Sequence, residues 1–85
     1  MGRCLMSSIY TARIAASASY LQRQLKVLRV TRSLSQEVVA NHIGIEKKQI
    51  HQYETGKLLP SMRTLIKLCE FYGTTPNKLL GFKEN

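Results

Sequence analysis

Between Tyr20 and Leu80 the apolar residues recur at spacings of three and four, and Gly44, Gly56 and Gly73 interrupt them at short intervals. That pattern confines the chain to short amphipathic helices, because a strand with one face on a core would alternate with a period of two. Leu21, Leu25 and Leu28 share one face of a first helix that ends near Thr31 to Ser33. Ser35 is a good N-cap and Glu37 follows in the first turn, so a second helix starts at Gln36 and carries Val39 and Ile43 inward. A third helix over 46–54 holds Ile50 and Tyr53 inward before the Gly56 stop. Pro60 and Ser61 begin a fourth, in which Met62, Leu65, Ile66, Cys69 and Tyr72 recur at helical spacing. Thr75 caps a fifth with Pro76 at its first position, and Leu79 and Leu80 close the core. The fold expected is all-α: a compact five-helix bundle over 20–82, preceded by an N-terminal arm over 1–19, flexible or helical, and followed by a tail over 83–85.

Charge restricts the partner. Thirteen Lys and Arg face five Glu and no Asp, a formal +8 in 85 residues, which favours polyanions or acidic membrane faces. Arg3, Arg13, Arg23, Lys26, Arg29 and Arg32 all precede the first carboxylate, Glu37. A membrane span needs roughly 20 apolar residues in succession, and no stretch approaches that. The Ala- and Ser-rich first twenty residues overlap in composition with transit peptides but lack the apolar run of a secretory signal. Gly2 is not followed by Ser or Thr at position 6, where Met6 stands, so lipidation is not expected.

Catalytic inventory is thin. Without Asp, with two His and with no glycine-rich phosphate loop, the pairs His51 with Glu54 and His42 with Glu46 lack a third convergent ligand. No enzyme activity, metal or cofactor is expected. Cys4 and Cys69 are too few and too far apart for a disulfide scaffold or a metal knuckle, and both are expected as reduced thiols in a cytoplasm-like compartment. Cys69 falls on the inner face with Leu65 and Tyr72, as a small buried thiol.

The junction of the second and third helices carries the most specific signal. Small Ala40 lets the next helix approach, Gly44 can take the left-handed conformation of a tight turn, and Ile50 anchors the third helix. Alone, the triplet is only moderately specific. With Leu34-Ser35-Gln36-Glu37, Val39-Ala40, Ile43-Gly44-Ile45, Tyr53-Glu54, Gly56-Lys57, Pro60-Ser61, Thr64-Leu65, Leu68, Gly73 and Leu79-Leu80, the chain over about 25–81 resembles the phage Cro and repressor-type, or XRE-type, DNA-binding family. The resemblance implies a lambda-repressor-like five-helix domain whose third helix lies in the DNA major groove.

Site residues follow from both lines of reasoning. With Ile50, Tyr53 and Glu54 inward, the outward set of the third helix is Lys47, Lys48, His51, Gln52 and Thr55. Lys can donate to guanine and Gln can pair with adenine in the major groove. The resemblance implies Lys47, Lys48 and Gln52 as base readers, and His51 joins them as a less certain one. Ser35 and Gln36 are expected phosphate contacts, Gln36 through its amide and the free N–H groups of the helix start, and the resemblance implies Lys57 as a second phosphate clamp. The resemblance also implies that Gln36 braces the first residue of the third helix, and that Arg29 and Glu54 form a partly buried ion pair tying helix one to the end of helix three. One departure stands out: Glu46 occupies a position where the family has Ser or Thr, and a carboxylate there repels a nearby phosphate.

The expected function is a sequence-specific, double-stranded DNA-binding transcription regulator, a repressor in preference to an activator, acting on an operator as a homodimer in the cytoplasm with the nucleoid. The arm and the region after Pro76 are the candidate dimer surfaces. The alternative is a DNA-binding antitoxin or interaction module of a small regulatory pair, with a protein partner held through the arm.

Overall fold

The computed structural model describes the backbone of residues 2–82 and the side chains of residues 12–82; the Cys4 thiol and the tail 83–85 lie outside them. Five helices follow in order: α1 (Gly2–Thr31), α2 (Gln36–Ile43), α3 (Lys47–Glu54), α4 (Met62–Tyr72) and α5 (Pro76–Leu80). No strand occurs among the described residues, in agreement with the all-α expectation.

Local chemistry explains where the helices begin and end. Ser35, extended at φ −81 and ψ 160, accepts from the Val38 N–H at 3.1 Å and so caps α2. Ser61 accepts likewise from the Thr64 N–H at 3.3 Å, and Thr75 from the Lys78 N–H at 3.2 Å, with Pro76 opening α5. At the other end of α2, Gly44 at φ 77 returns its N–H to the Ala40 carbonyl at 2.9 Å.

α1 packs on α3 and α5, α2 on α3 and α4, and α4 on α5, enclosing one core. Leu21 and Leu25 enter it from α1, Val39, Ala40 and Ile43 from α2, Ile50 and Tyr53 from α3, Leu65, Leu68, Cys69 and Tyr72 from α4, and Leu79 from α5. Leu28 and Leu80 are only partly buried at its edge. Two members of the anticipated α4 stripe do not belong to it. Met62 is 72% exposed and Ile66 46% exposed, while Leu68 is fully buried. The inner face of α4 runs through 65, 68, 69 and 72, which turns 66 toward solvent and leaves 62 in a first turn that no neighbour covers.

Tyr72 sits where α4 meets α1. The Arg32 guanidinium lies 5.4 Å from its ring centroid and donates to its carbonyl oxygen at 2.9 Å. Burial, with the Glu54 charge second, pushes the Tyr72 hydroxyl up to about 12. A phenol whose proton is held more tightly in the fold than in the unfolded chain stabilises the fold fully below about pH 10, the unfolded value, and progressively less as pH rises toward about 12. Urea titrations should therefore show stability falling across that window in the wild type, with a shallower fall in Tyr72→Phe; equal slopes would remove Tyr72 from the account.

Candidate nucleic-acid interface

The turn between α2 and α3 is closed from one atom. The Ala40 carbonyl accepts from the N–H groups of both Gly44, at 2.9 Å, and Ile45, at 3.0 Å, which brings α3 back across α2. Gly44 needs its positive φ of 77 there, whereas the space where a Cβ would stand is open, so backbone conformation and not crowding selects glycine. Ala40 is 1% exposed beneath the crossing helix. Glu46 takes the N-cap position of α3, and its own N–H donates to Gln49 Oε1 at 3.1 Å. Gln49 stands three residues after the N-cap, a capping spacing that was legible and escaped the sequence reading.

Ile50 and Tyr53 hold α3 to the core, and Lys47, Lys48, His51 and Thr55 are exposed on the opposite side. Gln52, expected among them, is only partly exposed, and its carbonyl accepts from the N–H groups of Lys57 at 3.0 Å and Leu58 at 3.2 Å. Those two bonds turn the chain at Gly56, which has φ +78 and where a side chain would collide with the amide of Gln22. Exposed Lys57 leaves directly from this turn.

Beneath α3 lies a bidentate ion pair. Arg29 Nε is 2.7 Å from Glu54 Oε2, and Arg29 Nη2 donates to Glu54 Oε1 at 2.9 Å. The third Arg29 nitrogen, Nη1, donates to the Leu34 carbonyl at 2.8 Å, so one guanidinium ties α1, the α1–α2 loop and α3 together. The side chains are 13% and 3% exposed, which is the partly buried pair anticipated. Its hydrogen bonds to Glu54 make the Arg29 guanidinium hold its proton more tightly than usual.

Gln36 departs from expectation. Its amide Nε2 donates to Glu54 Oε1 at 3.2 Å and lies 3.5 Å from His51 Nδ1, both in the second half of α3, and not on the first residue, Lys47. The physical reason is acceptor strength: a carboxylate within reach outcompetes an ammonium that offers no lone pair. Ser35 uses its oxygen as the α2 cap while its hydroxyl proton stays available to a donor-seeking group such as phosphate. The structure thus brings Gln36, His51, Glu54 and Arg29 into one connected group, with Lys47 and Lys48 on the exposed face beside it and Lys57 on the turn beyond.

Elsewhere, an open apolar groove of about 400 Å³ runs between α1 and the end of α5, lined among others by Ile14, Leu21, Leu59, Leu65, Leu80 and Phe82. Among the described residues no three His, Cys, Asp or Glu side chains are grouped to hold a metal ion, and no helix is long and apolar enough to cross a membrane.

Comparison with known proteins agrees with this geometry. Residues 20–80 match the family described as a helix-turn-helix domain. The chain is similar to the cryptic phage CTXphi transcriptional repressor RstR of Vibrio cholerae, 41% identical over 61 residues that cover 72% of this chain and 55% of that protein. It is also similar to the SPbeta prophage-derived uncharacterized HTH-type transcriptional regulator YonR of Bacillus subtilis, 35% identical over 67% of this chain and 53% of that one. An uncharacterized HTH-type transcriptional regulator of Methanocaldococcus jannaschii is 32% identical over 76% of this chain and 98% of its own length. The chain therefore spans about half the length of the first two relatives and nearly all of the third. No solved structure matches it.

Proposed function

The chain belongs to the helix-turn-helix domain family, and from that premise we propose that it is a sequence-specific, double-stranded DNA-binding transcription regulator, acting as a repressor, with α3 in the major groove. The observation that carries this reading is the exposed Lys47, Lys48 and His51 face of a helix whose other side is bolted to the core by Ile50, Tyr53 and the Arg29–Glu54 pair. Lys47, Lys48, His51 and Gln52 are the base readers, and Ser35, Lys57 and the free backbone N–H of Gln36 at the start of α2 hold phosphates. Residues 20–82 form the DNA-binding unit and 1–19 its arm. One such unit reads only a few base pairs, so it works as a two-fold homodimer on half-sites roughly 34 Å apart. The apolar groove between the arm and the residues after Pro76 supports those two segments as the contact between copies. The site of action is the cytoplasm.

Selection of bound duplexes from a random pool tests the proposal directly: inverted half-sites about one turn apart are expected, and a pool that shows no enrichment would sink it. Two variants then separate the roles. Gln52→Ala should relax preference at one base position by about 1–3 kcal/mol. Lys57→Ala should weaken binding to all sequences alike and flatten the salt slope by about one. Equal losses on selected and random DNA in both variants would remove Gln52 from base reading.

A further inference from the structure

A chain of hydrogen bonds links the buried ion pair to the exposed face of α3. Glu54 accepts from Arg29 Nε and Nη2 at 2.7 and 2.9 Å, so both of its oxygens face donors and act as acceptors. The Gln36 amide atom 3.2 Å from Glu54 Oε1 must then be the nitrogen, because an amide oxygen there would set two acceptors against each other. The orientation of the amide is fixed by that partner. The same Nε2 has a second N–H and lies 3.5 Å from Nδ1 of His51. At this length the contact orients more than it binds. A donor facing Nδ1 fits the tautomer in which Nδ1 accepts and the proton of the neutral ring sits on Nε2.

We propose that Gln36 is a positioning residue, which hands the polarity of the Arg29–Glu54 pair on to His51 so that His51 presents its Nε2–H as a donor to a base edge. The inference rests on α3 being the DNA-reading helix. It restricts the base that His51 faces. Guanine O6 and N7, adenine N7 and thymine O4 all offer acceptors in the major groove, whereas cytosine offers only its amino donor. Cytosine is therefore disfavoured at the position read by His51, and the other bases are accepted to differing degrees. A phosphate contact by Gln36 would not produce that pattern, since losing it would weaken binding to all sequences alike.

The test has two arms, both on the full chain. In the first, long-range proton–nitrogen correlation spectra of the 15N-labelled protein, assigned by the signals lost in His51→Ala, report which ring nitrogen of neutral His51 is protonated. The expected result is an Nε2–H ring in the wild type and a mixture of both tautomers in Gln36→Ala; an Nδ1–H ring in the wild type, or a ring indifferent to Gln36→Ala, overturns the relay. In the second, duplexes are selected from a random pool by wild type, His51→Ala and Gln36→Ala. Discrimination against cytosine at one position should fall about three- to tenfold in both variants, with no further loss in the double variant. Unaltered discrimination in His51→Ala, or losses spread evenly over all positions in Gln36→Ala, overturns the base-reading step. Failure of every variant, wild type included, to enrich any duplex defeats the DNA-binding reading itself, while the spectra still decide the relay. Gln36→Ala should keep its fold, since Glu54 keeps both Arg29 contacts, and thermal melts check this.

Discussion

Replacing Glu54 by alanine should cost the fold about 3–5 kcal/mol, because it strands the Arg29 guanidinium with no carboxylate in a site where only 13% of its side chain reaches solvent. A domain of this size has about 5–15 kcal/mol in total, so the variant sits near the edge of folding. Each kilocalorie moves the midpoint of thermal unfolding by about 4–8 °C, which sets the expected fall at more than about 10 °C. The mechanism predicts an asymmetry as well. Removing both partners together, as Arg29→Met with Glu54→Leu, leaves no charge uncompensated and should restore much of the loss. A solvent-exposed pair would be worth only about 0–1 kcal/mol, so an unchanged melting temperature in Glu54→Ala would show that the pair does not hold α3 in solution.

The second large effect concerns position and not stability alone. Ala40 is 1% exposed where α3 crosses α2, and its carbonyl organises the turn through the N–H groups of Gly44 and Ile45. Ala40→Leu should destabilise the domain by about 1–3 kcal/mol through overpacking. The extra carbons have to be accommodated by moving α3, so binding should suffer beyond what stability explains. Loss of even one base contact, about 1–3 kcal/mol, corresponds to roughly fivefold or more at a selected site. Binding to random DNA, which depends on phosphate contacts, should fall much less. A folded variant that binds selected duplexes as the wild type does would show that α3 tolerates displacement.

Much of the architecture was legible because its determinants are local. Ser35, Ser61 and Thr75 with Pro76 mark helix starts through hydrogen bonds that span three residues, and Gly44 and Gly73 mark ends through their own φ. The α4 core face was read less well, since spacing admits both Ile66 and Leu68 and only the neighbouring helices decide between them. Arg29 and Glu54 are 25 residues apart, and the resemblance to a family, not the residues themselves, suggested that they meet. The exposed face of α3 was largely anticipated by leaving out its inward residues, yet the partners of Gln36 were not. They depend on where the second half of α3 falls against α2, which no residue in either helix announces.

At about 1.5 Å per residue, the 30 residues of α1 extend roughly 45 Å, close to the 49 Å long axis of the molecule. Among the described residues, α1 enters the core around Leu21 and Leu25 and pairs through Arg29, while residues 12–16 are exposed. A helix in water has a costly nucleus and cheap propagation, so the earlier turns inherit their order from those the bundle has already nucleated. On heating, the exposed turns at 12–16 should therefore unwind before those around Leu21 and Leu25.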